Sequence, residues 1–254
     1  MRKSLALRIS LLAVLSLILF SCNKTEELPS GKLDEYMPLK PGKYITYRLD
    51  SMVFTNFGTV IETHRYQMKH VVDAELTDNL GRPSYRVYTY IRDSAGTQLW
   101  TAMGSYYITP LAKSVEVIDD NMRVVKLQEP IIEGFQWKGN TYLPDEPYYD
   151  IFDFNNDNDM QDWNFTYGPL ESAVSYRGND YTDVYTVTQQ DDHFNIPVLD
   201  PASYGIKSLS VEKYAKNLGM VYRQYQLWEY QPNPSGASPY NTGFGITLWM
   251  IDHN

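Results

Sequence analysis

The chain has little of what most enzyme chemistry needs. Of its 254 residues only one is a cysteine and four are histidines, so neither a disulfide framework nor a cysteine-rich zinc site can be built. It has no Gly-x-Ser-x-Gly elbow, no His-Glu-x-x-His helix and no phosphate-cradling glycine loop, the arrangements that bring a nucleophile, a zinc ion or a nucleotide to a site. His64 and His70 are the nearest pair, and six residues of extended strand span about 20 Å, too far to share one metal ion unless the strand bends. Helical periodicity is missing as well: no stretch longer than a turn or two repeats its apolar residues every 3.6 positions, and no internal repeat is visible.

The longest apolar run lies at the N-terminus. Met1-Arg2-Lys3 and Arg8 precede an uncharged stretch from Ile9 to Phe20, which ends in Ser21-Cys22. A basic start followed by a short apolar core is an export signal, and the run falls short of the roughly 20 apolar residues a membrane-spanning helix needs. Leu19-Phe20-Ser21-Cys22 resembles a lipobox, with a branched apolar residue three before the cysteine and a small one just before it. That resemblance implies cleavage after Ser21 and a diacylglycerol on the Cys22 thiol. With no second cysteine to pair with in an oxidising envelope, Cys22 suits lipidation better than a disulfide. The expected organisation is a cleaved signal over 1–21, a lipid-anchored flexible tether over 22–37 and one domain over 38–254.

Arg2, Lys3 and Arg8 leave with the signal, taking the net charge from −9 to −12. Such a surface excludes nucleic acid as a partner and broad attraction to anionic lipid. Membrane attachment must then come from the acyl chains, of which two or more are needed for stable anchoring. In the tether, Lys24 with Glu26-Glu27 resembles the short lysine-plus-acidic signal that sends lipoproteins of the Bacteroidota to the outer face of the outer membrane. An ordinary polar tether would have similar composition.

From Pro38 onward the hydrophobic period is two. Tyr85, Val87, Thr89 and Ile91 alternate with Arg86, Tyr88, Tyr90 and Arg92, and Ile45, Tyr47, Leu49 and Val53 alternate with Tyr44, Thr46, Arg48 and Asp50. Each is the pattern of a half-buried strand. The run 59–72 alternates in the same way, and other β-rich runs cover 97–108, 113–118, 122–127, 181–189, 206–216, 219–230 and 244–251. Turn residues at 56–58, 78–81, 93–96, 119–121 and 217–219 join them as hairpins. The fold expected is all-β, an antiparallel meander of about ten strands forming a barrel, half-barrel or two-sheet sandwich, since the apolar faces and strand edges must be hidden. An irregular acidic excursion is expected around 128–180, where Pro130, Pro144, Pro147 and Pro169 fall.

Two motifs carry a resemblance. Pro38-Leu39-Lys40-Pro41-Gly42-Lys43-Tyr44-Ile45-Thr46-Tyr47 looks like the opening of many outer-membrane surface lipoproteins of the Bacteroidota, and Tyr214-Ala215-Lys216-Asn217-Leu218-Gly219-Met220-Val221-Tyr222 resembles their late hairpin. The resemblance implies β architecture and an outer-membrane, cell-surface location, and it brings no site residues with it. Both motifs also have a structural explanation, in glycines that turn the chain and tyrosines that pack a sheet face.

Between Lys138 and Arg177 there is no basic residue but eight carboxylates. Within this stretch Asp153, Asn155, Asp157 and Asp159 place oxygen atoms at alternate positions, as calcium loops do. Asn158 stands where an EF-hand has glycine and Asn164 where it has a bidentate glutamate, so the alternatives are a structural calcium and a solvated acidic loop. Carboxylate pairs beside Trp137 and Trp163, if exposed, would suit a glycan-active enzyme, yet no acid or base can be singled out. Asp50-Ser51-Met52 and Asp93-Ser94-Ala95 resemble the O-glycosylation triplet of the same phylum, and Ser94, in an expected hairpin turn, is the more accessible of the two serines.

The function expected is a non-enzymatic binding or assembly subunit of the outer envelope, with an envelope protein complex or surface glycan as partner. The alternative is a carrier of an apolar ligand in a barrel interior, which would have to leave a cavity that bulky side chains could otherwise fill.

Overall fold

The computed structural model of the protein describes residues 30–152, 154, 156, 158–233, 236 and 238–254. Cys22 lies outside them. Among the described residues the chain forms twelve antiparallel strands and almost no helix.

A short helix, α1 (Leu33–Tyr36), precedes β1 (Tyr44–Thr55), β2 (Val60–Thr77), β3 (Pro83–Asp93), β4 (Thr101–Pro110), β5 (Ser114–Asp119) and β6 (Met122–Gln128). There follow β7 (Gln136–Trp137), a helical turn α2 (Tyr149–Phe152), β8 (Phe165–Tyr176), β9 (Asn179–Phe194), β10 (Gly205–Ala215), β11 (Gly219–Gln231) and β12 (Tyr240–His253). Every strand pairs with its neighbours in sequence and β1 pairs with β12, except that β6 and β7 form the two ends of the sheet. The result is a nearly closed barrel, which removes most of the edge that an open sheet would expose.

The β6–β7 seam is spanned without a strand ladder. The Val125 amide donates to the Gly139 carbonyl (2.8 Å) and Trp137 Nε1 donates to the Val125 carbonyl (2.8 Å). The Tyr167 hydroxyl, on β8, bridges the amide and carbonyl of Gln128.

The expected turns are present, with left-handed backbone mostly at residue types that tolerate it: Asn56, Asp120, Asn121 and Asn217 have φ between 47° and 63° and Gly219 has φ 106°, while Phe57, at φ 56°, is the exception in the first turn. Val87, Tyr47 and Leu49 are buried as the alternation requires. Leu33 and Tyr36, in the polar N-terminal stretch, are buried as well, so α1 is part of the core.

The stretch 128–180 differs from expectation in two ways. First, its last part is not irregular: β8 is a twelve-residue strand, disguised in the sequence because Gly168-Pro169 interrupts the period and the pairing with β9 shifts register between Tyr167 and Leu170. Second, the irregular part is held by apolar side chains. Trp137, Phe154, Met160 and Trp163 are 5%, 2%, 1% and 4% exposed and belong to the main core. Both tryptophans are therefore unavailable for stacking on a sugar.

Candidate functional site

Two buried clusters make up the core, one with Val72, Val87, Ile108 and Tyr214 and the other with Tyr47 and Leu49. Between them lies a partly open cavity of about 130 Å³, lined from both sides. The residues around its N-terminal wall, Met37, Pro38 and Leu39, follow directly from α1, and Leu218 and Gly219 of the β10–β11 turn adjoin them.

The cavity contains charge. On β10 the inward row is Ser208, Ser210, Glu212 and Tyr214, all buried, so this strand turns polar groups inward. Glu212 is wholly excluded from solvent. Its carboxylate accepts hydrogen bonds from Lys126 Nζ (2.7 Å), Gln189 Nε2 (2.9 Å) and Tyr214 Oη (2.7 Å), and Arg223 Nε stands 3.4 Å away. Gln189 reaches inward as the next residue after Tyr185 and Val187 on the buried row of β9, and it sits at a bulge where Ser210 pairs with Gln190 and Val211 with Thr188. Its own carbonyl oxygen accepts from the Ser210 hydroxyl.

Burial alone would raise the Glu212 pKa, but Lys126 and Arg223, with the hydrogen bonds from Lys126 and Tyr214, hold it below the usual carboxylate range. Desolvation pulls Lys126 below the ordinary lysine value against the attraction of Glu212. The ionised pair is the consistent state, because a protonated carboxyl would add an O–H donor where the groups around it, Lys126, Gln189 Nε2, Tyr214 and Arg223, are themselves donors.

His70, on β2, lies between Tyr47 and Tyr106, with ring centroids 5.1 and 5.5 Å away and edge-to-face geometry in both cases. Its Nδ1 shares a 3.0 Å hydrogen bond with the Tyr106 hydroxyl. Its Nε2 is sealed from solvent and has no hydrogen-bond partner among the described residues, and neither has Arg223 Nε. Desolvation, with Arg223 nearby, lowers the His70 pKa from 6.5 to about 4, so the imidazole is neutral at physiological pH. His64, by contrast, is exposed and paired with Glu62 at 3.0 Å.

The residues singled out in the sequence lie elsewhere. Ser94 is exposed in the β3–β4 turn, whereas Ser51 is half-buried in β1 between His64 and Ile246. Asp93 holds that turn in shape, because its carboxylate accepts from the amides of Thr97 and Gln98 and from the Thr97 hydroxyl. Asp153, Asn155 and Asp157 lie outside the described residues. Asp159 is exposed, with left-handed φ 49°, and starts the 3₁₀ turn Met160–Asp162. Among the described residues no three His, Cys, Asp or Glu are grouped to hold a metal ion.

No family model matches the chain, and no curated protein matches it. Among solved structures it is similar to a Bacteroides fragilis protein presumed to be exported and described as having a YmcC-like fold, at 11% identity and a TM-score of 0.36, over 85% of this chain and 97% of that one. A likeness at that level carries no statement about function.

Proposed function

We propose that the protein is a lipid-anchored, non-enzymatic binding protein of the outer envelope, held at the outer membrane through acylated Cys22, and that it holds a small molecule in the barrel cavity. One observation supports the binding reading above others. A buried polar atom without a hydrogen bond costs about 1–3 kcal/mol, yet His70 Nε2 and Arg223 Nε both stand in the cavity wall in that condition. A bound molecule would satisfy them.

Binding is favoured over catalysis because Glu212, the one fully buried carboxylate among the described residues, is committed to its donors and is a poor proton acceptor. A carrier of a long apolar chain is disfavoured by the charge in the wall and by the size of the space, about 130 Å³, against the roughly 150 Å³ of a cavity that holds one benzene ring.

The test has two arms. Cys22→Ala should abolish acylation and release the protein from the membrane fraction; retention would sink the anchor. Native mass spectrometry of the acylated protein, before and after denaturing extraction, should show a stoichiometric small molecule, and that adduct should be lost when Val87→Phe fills the cavity. An adduct indifferent to Val87→Phe would move the binding site elsewhere.

A further inference from the structure

The cavity wall has more hydrogen-bond donors than acceptors. Arg223 carries five N–H groups, and among the described residues its polar contact is with Glu212, at a geometry that leaves Nε without a hydrogen bond. Lys126 gives one of its N–H groups to Glu212, and Lys43 also lines the space. Three cations thus face two carboxylates. Of these, Glu212 already accepts from three donors. The other, Asp119, forms no ion pair among the described residues, and burial, then the neighbouring Asp120, shift it toward its neutral form. The rest of the wall is largely apolar, including Val72, Val87, Ile108 and Met220.

The geometry points to a small carboxylate with an apolar body as the ligand, its anionic group held by the Arg223 guanidinium and the Lys126 ammonium and its body against Val72, Val87 and Ile108. This rests on the reading of the cavity as the binding site. A guanidinium presents its donors as a planar fork that fits a carboxylate. A monoanion also offsets part of the positive charge left after Glu212 is paired. His70 Nε2 completes the polar end: in the tautomer with Nδ1 accepting from Tyr106, Nε2–H is a further donor.

The experiment titrates the mature acylated protein in detergent with isobutyrate, and with neutral, nearly isosteric isobutyramide, by calorimetry. Isobutyrate should bind saturably, and isobutyramide roughly tenfold to a hundredfold more weakly, the difference expected for charge-assisted hydrogen bonds. Arg223→Gln should remove that preference, and its melting curve would establish that it is folded. Val87→Phe, which leaves every charged group in place, should block both probes. Equal binding of the two probes, or an isobutyrate preference that survives Arg223→Gln, overturns the carboxylate class while the cavity still binds. Absence of saturable isobutyrate binding also overturns it. Binding of both probes that Val87→Phe leaves unchanged overturns the cavity reading itself.

Discussion

The Tyr167 hydroxyl stands 3.0 Å from both the amide nitrogen and the carbonyl oxygen of Gln128, accepting from one and donating to the other across the barrel seam. Tyr167 is 1% exposed, so water has little access to replace it. Tyr167→Phe keeps the ring and removes both bonds, leaving two backbone groups of Gln128 short of a partner. We expect a loss of about 1–3 kcal/mol in urea unfolding and faster amide exchange at Gln128. Unchanged exchange there would mean that the other seam contacts close the barrel alone.

Glu212 and Lys126 make a buried pair whose two halves are not equivalent. Glu212→Gln leaves Lys126 and Arg223 without a carboxylate between them, whereas Lys126→Met leaves Glu212 with Arg223, Gln189 and Tyr214. Removing one partner of a buried pair typically costs about 3–5 kcal/mol, and we expect Glu212→Gln to be the worse of the two. Denaturant unfolding of both variants decides. Equal losses would show that Lys126 alone balances Glu212.

Much of the fold was legible because its strands obey period two, and little of the site was, because β10 inverts that rule. Val87, Tyr47 and Leu49 face inward as apolar members of alternating runs. On β10 the inward residues are Ser208, Ser210 and Glu212, while Leu209 and Val211 are only half-buried, so hydropathy assigns the faces in reverse. Gln189 is likewise a polar residue on an inward row, after Tyr185 and Val187 of β9. His70 was visible as a histidine in a strand, but its orphan nitrogen depends on Tyr106, Tyr47 and Arg223, which come from distant strands. The acidic stretch misled through its charge: its sparse apolar residues, Phe154, Met160 and Trp163, determine where it packs.

That packing can be measured. Met160 is 1% exposed and contacts the Tyr225 hydroxyl through Sδ at 3.6 Å, and its carbonyl accepts from Asn140 Nδ2. Met160→Ala should cost about 2–5 kcal/mol, as truncation of a buried methionine does. It should also raise protease sensitivity between residues 138 and 164. If Asp153, Asn155, Asp157 and Asp159 hold calcium, millimolar calcium raises the melting temperature and Asp157→Ala abolishes the rise. A loss below about 1 kcal/mol on Met160→Ala would show that apolar burial does not fix this segment.

Ser94 and Ser51 share the Asp-Ser-x triplet, and the sequence favours Ser94 as the one in a hairpin turn; in the fold Ser94 is exposed and Ser51 half-buried. A transferase can reach the exposed β3–β4 turn, but not the half-buried middle of β1. In protein isolated from its native host, Ser94→Ala should therefore remove a glycan mass and Ser51→Ala should not. The reverse result would place modification before folding.

His70 gives the protein a pH dependence whose sign follows from its environment. In the unfolded chain the imidazole takes up its proton near pH 6.5, while in the folded protein desolvation postpones uptake to about pH 4. Between those values the unfolded state binds more protons, so stability falls as pH falls, by at most about 1.4 kcal/mol per pH unit for one group. Above pH 6.5 the imidazole is neutral in both states and contributes nothing. Glu212, with its folded pKa depressed, adds a loss of the same sign, but at lower pH, as the carboxylate is protonated. The groups around His70 are Tyr47, Tyr106 and Arg223, with Glu212, Lys126 and Asp119 elsewhere in the same cavity. Comparing the parent with His70→Gln cancels what they share. The two unfolding free energies should run parallel above pH 6.5 and converge, with the parent falling faster, between pH 6.5 and pH 4. Curves parallel throughout would show that His70 exchanges its proton as freely in the folded protein as in the unfolded chain.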